Sequence, residues 1–104
     1  MDERSAVNAE DAENGDFLSR QVVVVNQNGL HARPAGKLAQ LAQSFTADVV
    51  IALDGQEVDA KSILDVLTLA ASQGTVLELR ASGTDAPEAL DRLEALIANR
   101  FEEE

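Results

Sequence analysis

The sequence predicts a two-layer α+β sandwich, with a four-stranded sheet carrying three helices on one face in the order β-α-β-β-α-β-α. Three observations predict it. Short β-branched or alternating stretches recur at 20–26, 47–53, 56–60 and 75–81, which is strand patterning. Three other stretches place apolar residues at helical spacing. Turn residues separate the elements, namely Asn26-Gln27-Asn28-Gly29, Asp54-Gly55 and Gln73-Gly74. Amphipathic helices mixed with a small sheet bury their stripes by packing against one face of it.

Each element has its own warrant. Val22-Val23-Val24-Val25 gives the first strand. From Ala32 to Phe45 the apolar positions 35, 38, 39, 42 and 45 follow a helical period, and Pro34 lies in the first turn, where its missing N–H costs nothing. Ala47–Leu53 is the second strand, and Asp54-Gly55 marks a hairpin into the third. Ser62 opens the second helix, with Asp65 as an approximate capping-box partner, and Gln73-Gly74 closes it. Val76, Leu77, Leu79 and Ala81 alternate with polar residues in the fourth strand. Asp85-Ala86-Pro87-Glu88 combines a capping box with an early proline, and opens a third helix whose stripe runs from Ala86 to Phe101. The acidic end Glu102-Glu103-Glu104 is expected to fray, because acids oppose the dipole at a helix C-terminus.

Composition narrows the function. Residues 1–17 hold six acids, one base and few apolar groups. They are expected to form a disordered N-terminal extension, leaving residues 18–104 as one domain. The chain lacks cysteine, which excludes disulfides and thiolate metal sites and fits a cytoplasmic protein. No apolar start resembles a secretory signal, and no run is long enough to span a membrane. The net charge of −11, with three phenylalanines as the sole aromatics, argues against nucleic acid and anionic membranes as partners. One histidine makes a transition-metal site unfavourable. The chain has no P-loop, and its carboxylates form no assignable acid–base pair. Neither a metal nor a cofactor is expected.

The single histidine, His31, lies in Asn28-Gly29-Leu30-His31-Ala32-Arg33-Pro34-Ala35, where a strand gives way to a helix. A helix start offers unbonded N–H groups and the positive end of a dipole, so it suits an anion. Imidazole is a competent nucleophile near neutral pH. His31 is therefore a candidate phosphoryl acceptor. The amides around Ala32 and Arg33 and the Arg33 guanidinium are candidate phosphate donors. Gly29 permits a sharp turn, and Leu30 is expected to plug into the core. The plainer alternative makes His31 a helix cap and nothing more.

Ser62 is on its face an ordinary N-cap. Its helix is unusual. Over 63–71 only Asp65 and Thr68 are polar, and the apolar arc covers roughly 220°, beyond an ordinary core-facing stripe. Ile63, Leu64 and Leu67 are expected to be exposed and to form a partner surface. The alternative is a helix wedged between sheet and neighbouring helices.

Together these residues resemble the HPr phosphocarrier family of the bacterial phosphoenolpyruvate-dependent phosphotransferase system. The likeness runs from about Arg20 to Phe101. It is carried by Asn28–Ala35, by Ala60-Lys61-Ser62-Ile63-Leu64, by Leu67-Thr68-Leu69 and by Gln73-Gly74-Thr75. The resemblance implies an open-faced antiparallel sheet. It implies that His31 is phosphorylated on Nδ1 by Enzyme I and passes the group to an EIIA-type acceptor. Arg33 would stabilise the phosphate, and Ser62 would sit where HPr kinase/phosphorylase acts on some members. Ile63, Leu64 and Leu67 would dock partners, and the protein would be a monomeric phosphocarrier rather than an enzyme. Gln40, Gln43 and Asp65 stand where sugar-transport members tend to carry lysines, and His31-Ala32-Arg33-Pro34 with the acidic C-terminus is closer to the nitrogen-related branch, NPr. Two other readings compete: a regulatory docking module acting through Ser62, and a metabolite sensor on a similar sandwich.

Overall fold

The chain pairs its first strand with its last. In the computed structural model, which describes residues 17–102, β1 (Leu18–Val23) runs antiparallel to β4 (Val76–Ser82), with Leu18 opposite Ala81 and Val23 opposite Val76. Strand β4 also pairs antiparallel with β2 (Asp48–Leu53), which forms a hairpin with β3 (Gln56–Asp59). The sheet order is therefore β1-β4-β2-β3. Three helices complete the domain: α1 (Ala32–Gln43), α2 (Ile63–Thr68) and α3 (Ala86–Ala98). The expected β-α-β-β-α-β-α order and the open-faced antiparallel sheet are both present.

Alternation in the strands decides which face is covered. Leu77, Leu79 and Ala81 are buried, while Val76, Glu78, Arg80 and Ser82 point the other way. The buried set meets Val22, Val49, Ile51 and Val58 from the other strands. Leu38 and Ala42 of α1 and Leu90, Leu93 and Ile97 of α3 close the core from the helix side. On the open face the Arg80 guanidinium reaches Glu57 at 2.8 Å and Glu78 at 3.0 Å, and lies 5.4 Å from the centre of the Phe17 ring.

Several boundaries differ from the sequence reading. Strand β1 begins and ends earlier than 20–26. Val24 leaves the regular ladder but stays bound to the neighbouring turn, its N–H donating to Thr75 O and its carbonyl accepting from Gly74 N. Helix α2 stops at Thr68 rather than at Gln73-Gly74. Ala70 adopts φ 50°, in the left-handed region, which ends the helix. The third helix ends at Ala98, and a 3-10 turn, Arg100–Glu102, with φ between 56° and 62°, carries Phe101 into the core. Phe101 belongs to the predicted apolar stripe but reaches the core through this reversal. The Lys37 ammonium donates to the Phe101 carbonyl at 2.8 Å. The expected disordered extension, apart from Phe17, and the expected fraying of Glu103 and Glu104 lie outside the described residues. No helix among the described residues is long and apolar enough to cross a membrane.

Candidate functional site

The loop that presents His31 is fixed from several directions. Gly29 N–H donates to the Asn26 carbonyl at 3.2 Å, and the Asn26 side-chain Nδ2 donates to the Gly29 carbonyl at 2.7 Å. Gly29 takes φ 67°, and a Cβ there would stand 2.4 Å from the Ala71 carbonyl oxygen. Glycine is thus required by conformation and by the close approach of the 71–72 backbone. Leu30 N–H donates to that same Ala71 carbonyl at 2.9 Å, and the Leu30 side chain is buried in the core, as expected. The next residue, His31, is exposed.

His31 is the N-cap of α1. Its backbone is extended (φ −77°, ψ −171°), its carbonyl accepts the first helical bond from Ala35 N, and its imidazole makes no capping hydrogen bond. The plain capping role is therefore not taken by the ring. Ala32 and Arg33 supply amides at positions where helix geometry provides no intrahelical acceptor, and Pro34 supplies none. The first turn of α1 contains no acid. An exposed imidazole thus stands beside first-turn amides that have no intrahelical acceptor, the positive end of a twelve-residue helix and the exposed Arg33. Such an arrangement can seat a dianion attached to the ring.

Ser62 is held differently. It is half-buried, and its hydroxyl accepts from Asp65 N at 3.2 Å. Only half of a capping box forms. The Asp65 carboxylate accepts from Asp59 N at 3.3 Å, while Ser62 N–H goes to the Asp59 carbonyl. Ile63 and Leu64 follow it and are exposed, Leu64 to 76%. Leu67 departs from the expectation of exposure. It is half-buried and packed against the core.

Helices α1 and α2 pack so that the two candidate phosphorylation residues lie at opposite ends of α1. At its start, Leu30 is bonded to Ala71, beyond the end of α2. At its end, Gln43 donates to the Lys61 carbonyl at 2.8 Å, and the Lys61 ammonium donates to the Phe45 carbonyl at 2.9 Å, just before α2. A twelve-residue helix is about 18 Å long, so Ser62 is a long way from His31.

The sequence places Asn26 in a turn and Asp85 at a helix start, but the loop-holding contacts of Asn26, Ala71 and Asp85 are not visible in it. Asp85 is the N-cap of α3 but makes no side-chain cap there. Its carboxylate instead accepts from Thr46 N at 2.9 Å and Ala47 N at 2.8 Å, which pins the turn from α1 into β2. These amides, Thr46 foremost, hold the Asp85 carboxyl below its usual range. Among the described residues no group of three or more His, Cys, Asp or Glu could hold a metal ion.

Comparison with known proteins places this geometry in a family. Residues 18–99 match the family described as "PTS HPr component phosphorylation site". The chain is 49% identical over 87 residues to a phosphocarrier protein HPr of Cupriavidus necator, covering 84% of this chain and 98% of that one. It superposes on the crystal structure of HPr from Thermoanaerobacter tengcongensis with a TM-score of 0.81 at 39% identity, over 84% of this chain and 98% of that one. It is also similar to Crh, the Bacillus subtilis catabolite repression protein, with a TM-score of 0.65 at 43% identity, over 78% of this chain and 93% of that one. That Crh crystal is described as a domain-swapped, intertwined dimer. The fold, the motifs and the extent of identity agree: the chain belongs to the HPr family of phosphocarrier proteins of the phosphotransferase system.

Proposed function

We propose that the protein is a phosphohistidine relay, accepting a phosphoryl group from Enzyme I on His31 and handing it to an EIIA-type acceptor. The observation that carries this reading is the exposed His31 ring at the mouth of α1, making no cap and facing a first turn without acids. A deprotonated ring nitrogen attacks phosphorus, and the bond from phosphorus to the donor breaks as the P–N bond forms. The Ala32 and Arg33 amides and the Arg33 guanidinium offset the charge on the transferred oxygens. The phosphate stays at the surface, so an acceptor can approach in line. The chain acts as a substrate and carrier rather than as a turnover catalyst.

Docking is assigned to the exposed Ile63 and Leu64, with Leu67 supporting them from its half-buried position. Ser62 is the second modification site of this reading, with HPr kinase/phosphorylase as the enzyme. A phosphate there would add about −1.5 to −2 charges beside that apolar patch and weaken Enzyme I binding. In this reading the acidic residues 1–17 precede the carrier domain 18–104, and the protein works as a cytoplasmic monomer. Incubation with phosphoenolpyruvate and Enzyme I should yield acid-labile phosphate on the wild-type chain and none on His31→Ala. Equal labelling of the two would overturn the assignment.

A further inference from the structure

Asn26 is the one buried polar residue among the described core positions, at 2% exposure. It lies five residues before His31, in a turn where a polar side chain would ordinarily face water. Its amide makes one strong contact, Nδ2–H to the Gly29 carbonyl at 2.7 Å, and its Oδ1 finds no donor. The reverse orientation would set two acceptors against each other. A half-satisfied buried amide costs about 1–3 kcal/mol relative to a fully bonded one, so stability alone does not account for asparagine here.

What the contact holds explains it. The Gly29 carbonyl and the Leu30 N–H belong to the same peptide plane. The oxygen is gripped by Asn26, and the N–H is gripped by the Ala71 carbonyl at 2.9 Å. The plane is therefore fixed at both edges, one by β1's exit and the other by the segment beyond α2. With Leu30 anchored in the core and the His31 carbonyl committed to Ala35 N, rotation of this plane is the remaining backbone motion that would redirect the Cα–Cβ bond of His31 relative to the first turn of α1. Resting on the relay reading above, we propose that Asn26 is a positioning residue for phosphoryl transfer, clamping the Gly29–Leu30 peptide so that the His31 backbone presents its ring at the mouth of α1.

The test uses the full chain with Enzyme I and phosphoenolpyruvate. Asn26→Ala removes the clamp, Asn26→Asp keeps the shape but loses the donor, and Asn26→Ser retains a donor that can reach back toward Gly29. Misplacement of a reacting group by about 1 Å costs up to roughly a hundredfold. Asn26→Ala and Asn26→Asp are expected to lose at least about tenfold in the maximal rate of His31 labelling with KM for Enzyme I unchanged, because Ile63 and Leu64 remain in place. Asn26→Ser should recover part of the rate. In NMR spectra the His31 ring signals should shift and broaden in the two slow variants, while the core methyl signals stay. Wild-type rates in both variants, or a loss confined to KM, overturn the proposal. If Asn26→Ala does not fold, the Asn26→Asp and Asn26→Ser pair decides in the same way. Should none of the three fold, the wild-type chain decides. One Asn26 Nδ2 proton is then expected to be protected from exchange, and to remain so in the phosphorylated form; rapid exchange overturns the clamp. Failure of the wild-type chain to label on His31 would instead overturn the relay itself.

Discussion

The starts of α1 and α2 are built from the same kind of chain and used in opposite ways. Ser62 closes α2: its hydroxyl takes the Asp65 amide, and Asp65 adds an acid to the first turn. His31 leaves α1 open, with no side-chain cap and no first-turn acid. The start of α2 is satisfied from within the protein. The start of α1 is left without a side-chain cap, at some cost to local stability. In the proposed relay, this difference suits α1 to receive an anion and makes Ser62 a structural terminus that a kinase would have to disrupt.

Closing the open terminus is the most direct way to break the contrast. Ala32→Glu puts an acid into the exposed first turn of α1. It is expected to raise stability by about 0.3–1 kcal/mol while slowing His31 phosphorylation by roughly tenfold or more, since a charge within a few ångströms of the incoming phosphate opposes it. Thermal unfolding and labelling rates measured on one preparation, with Ala32→Gln as the neutral control, check both. Opening the closed terminus is the converse. Ser62→Ala should cost about 1 kcal/mol and leave the rate of His31 labelling unchanged, because Ser62 is at the far end of α1; a rate loss beyond the stability loss would join the two sites.

Smaller effects sharpen the picture where the helices end. Ala70 occupies φ 50°, which disfavours a Cβ by about 1–2 kcal/mol, whereas glycine gives part of that back as unfolded-state entropy. Ala70→Gly is therefore expected to stabilise by about 0.5 kcal/mol in chemical denaturation. The third helix start, at Asp85, gives a pH signature. Its carboxyl is held below the ordinary value of 3.8 in the folded state, so its contribution is fully present above the unfolded pKa and is lost as the pH falls through the lower, folded value. Wild type should lose stability on acidification below about pH 4, and Asp85→Asn should show a shallower dependence there while being less stable at neutral pH.

The order of elements and the position of the exposed histidine were legible because they rest on local signals: period, turn residues and one short motif. What was not legible depends on contacts between distant segments. Asp85 reads as part of a capping box, and its helix does begin there, but its carboxylate is drawn 38 residues back to the Ala47 amide. Helix α2 reads as running to Gln73-Gly74, since nothing local stops it at Thr68. The stop comes at Ala70, just ahead of the carbonyl of Ala71 that meets Leu30. Leu67 reads as exposed from the width of its apolar arc, but the arc does not say which edge the core takes. Asn26 sits in an evident turn, and only its burial distinguishes it from Gln27 and Asn28.

The uncapped mouth of α1 also ties the folding equilibrium to the cargo. A dianion on His31 would complete a terminus that the chain leaves incomplete, so the loaded form would resist unfolding better than the empty one. By the same cycle, the folded protein would lower the free energy of its phosphoimidazole relative to one on an unfolded chain. The transfer potential of the group would then be set partly by how firmly the first turn is wound, and loosening that turn would make the carrier a more eager donor.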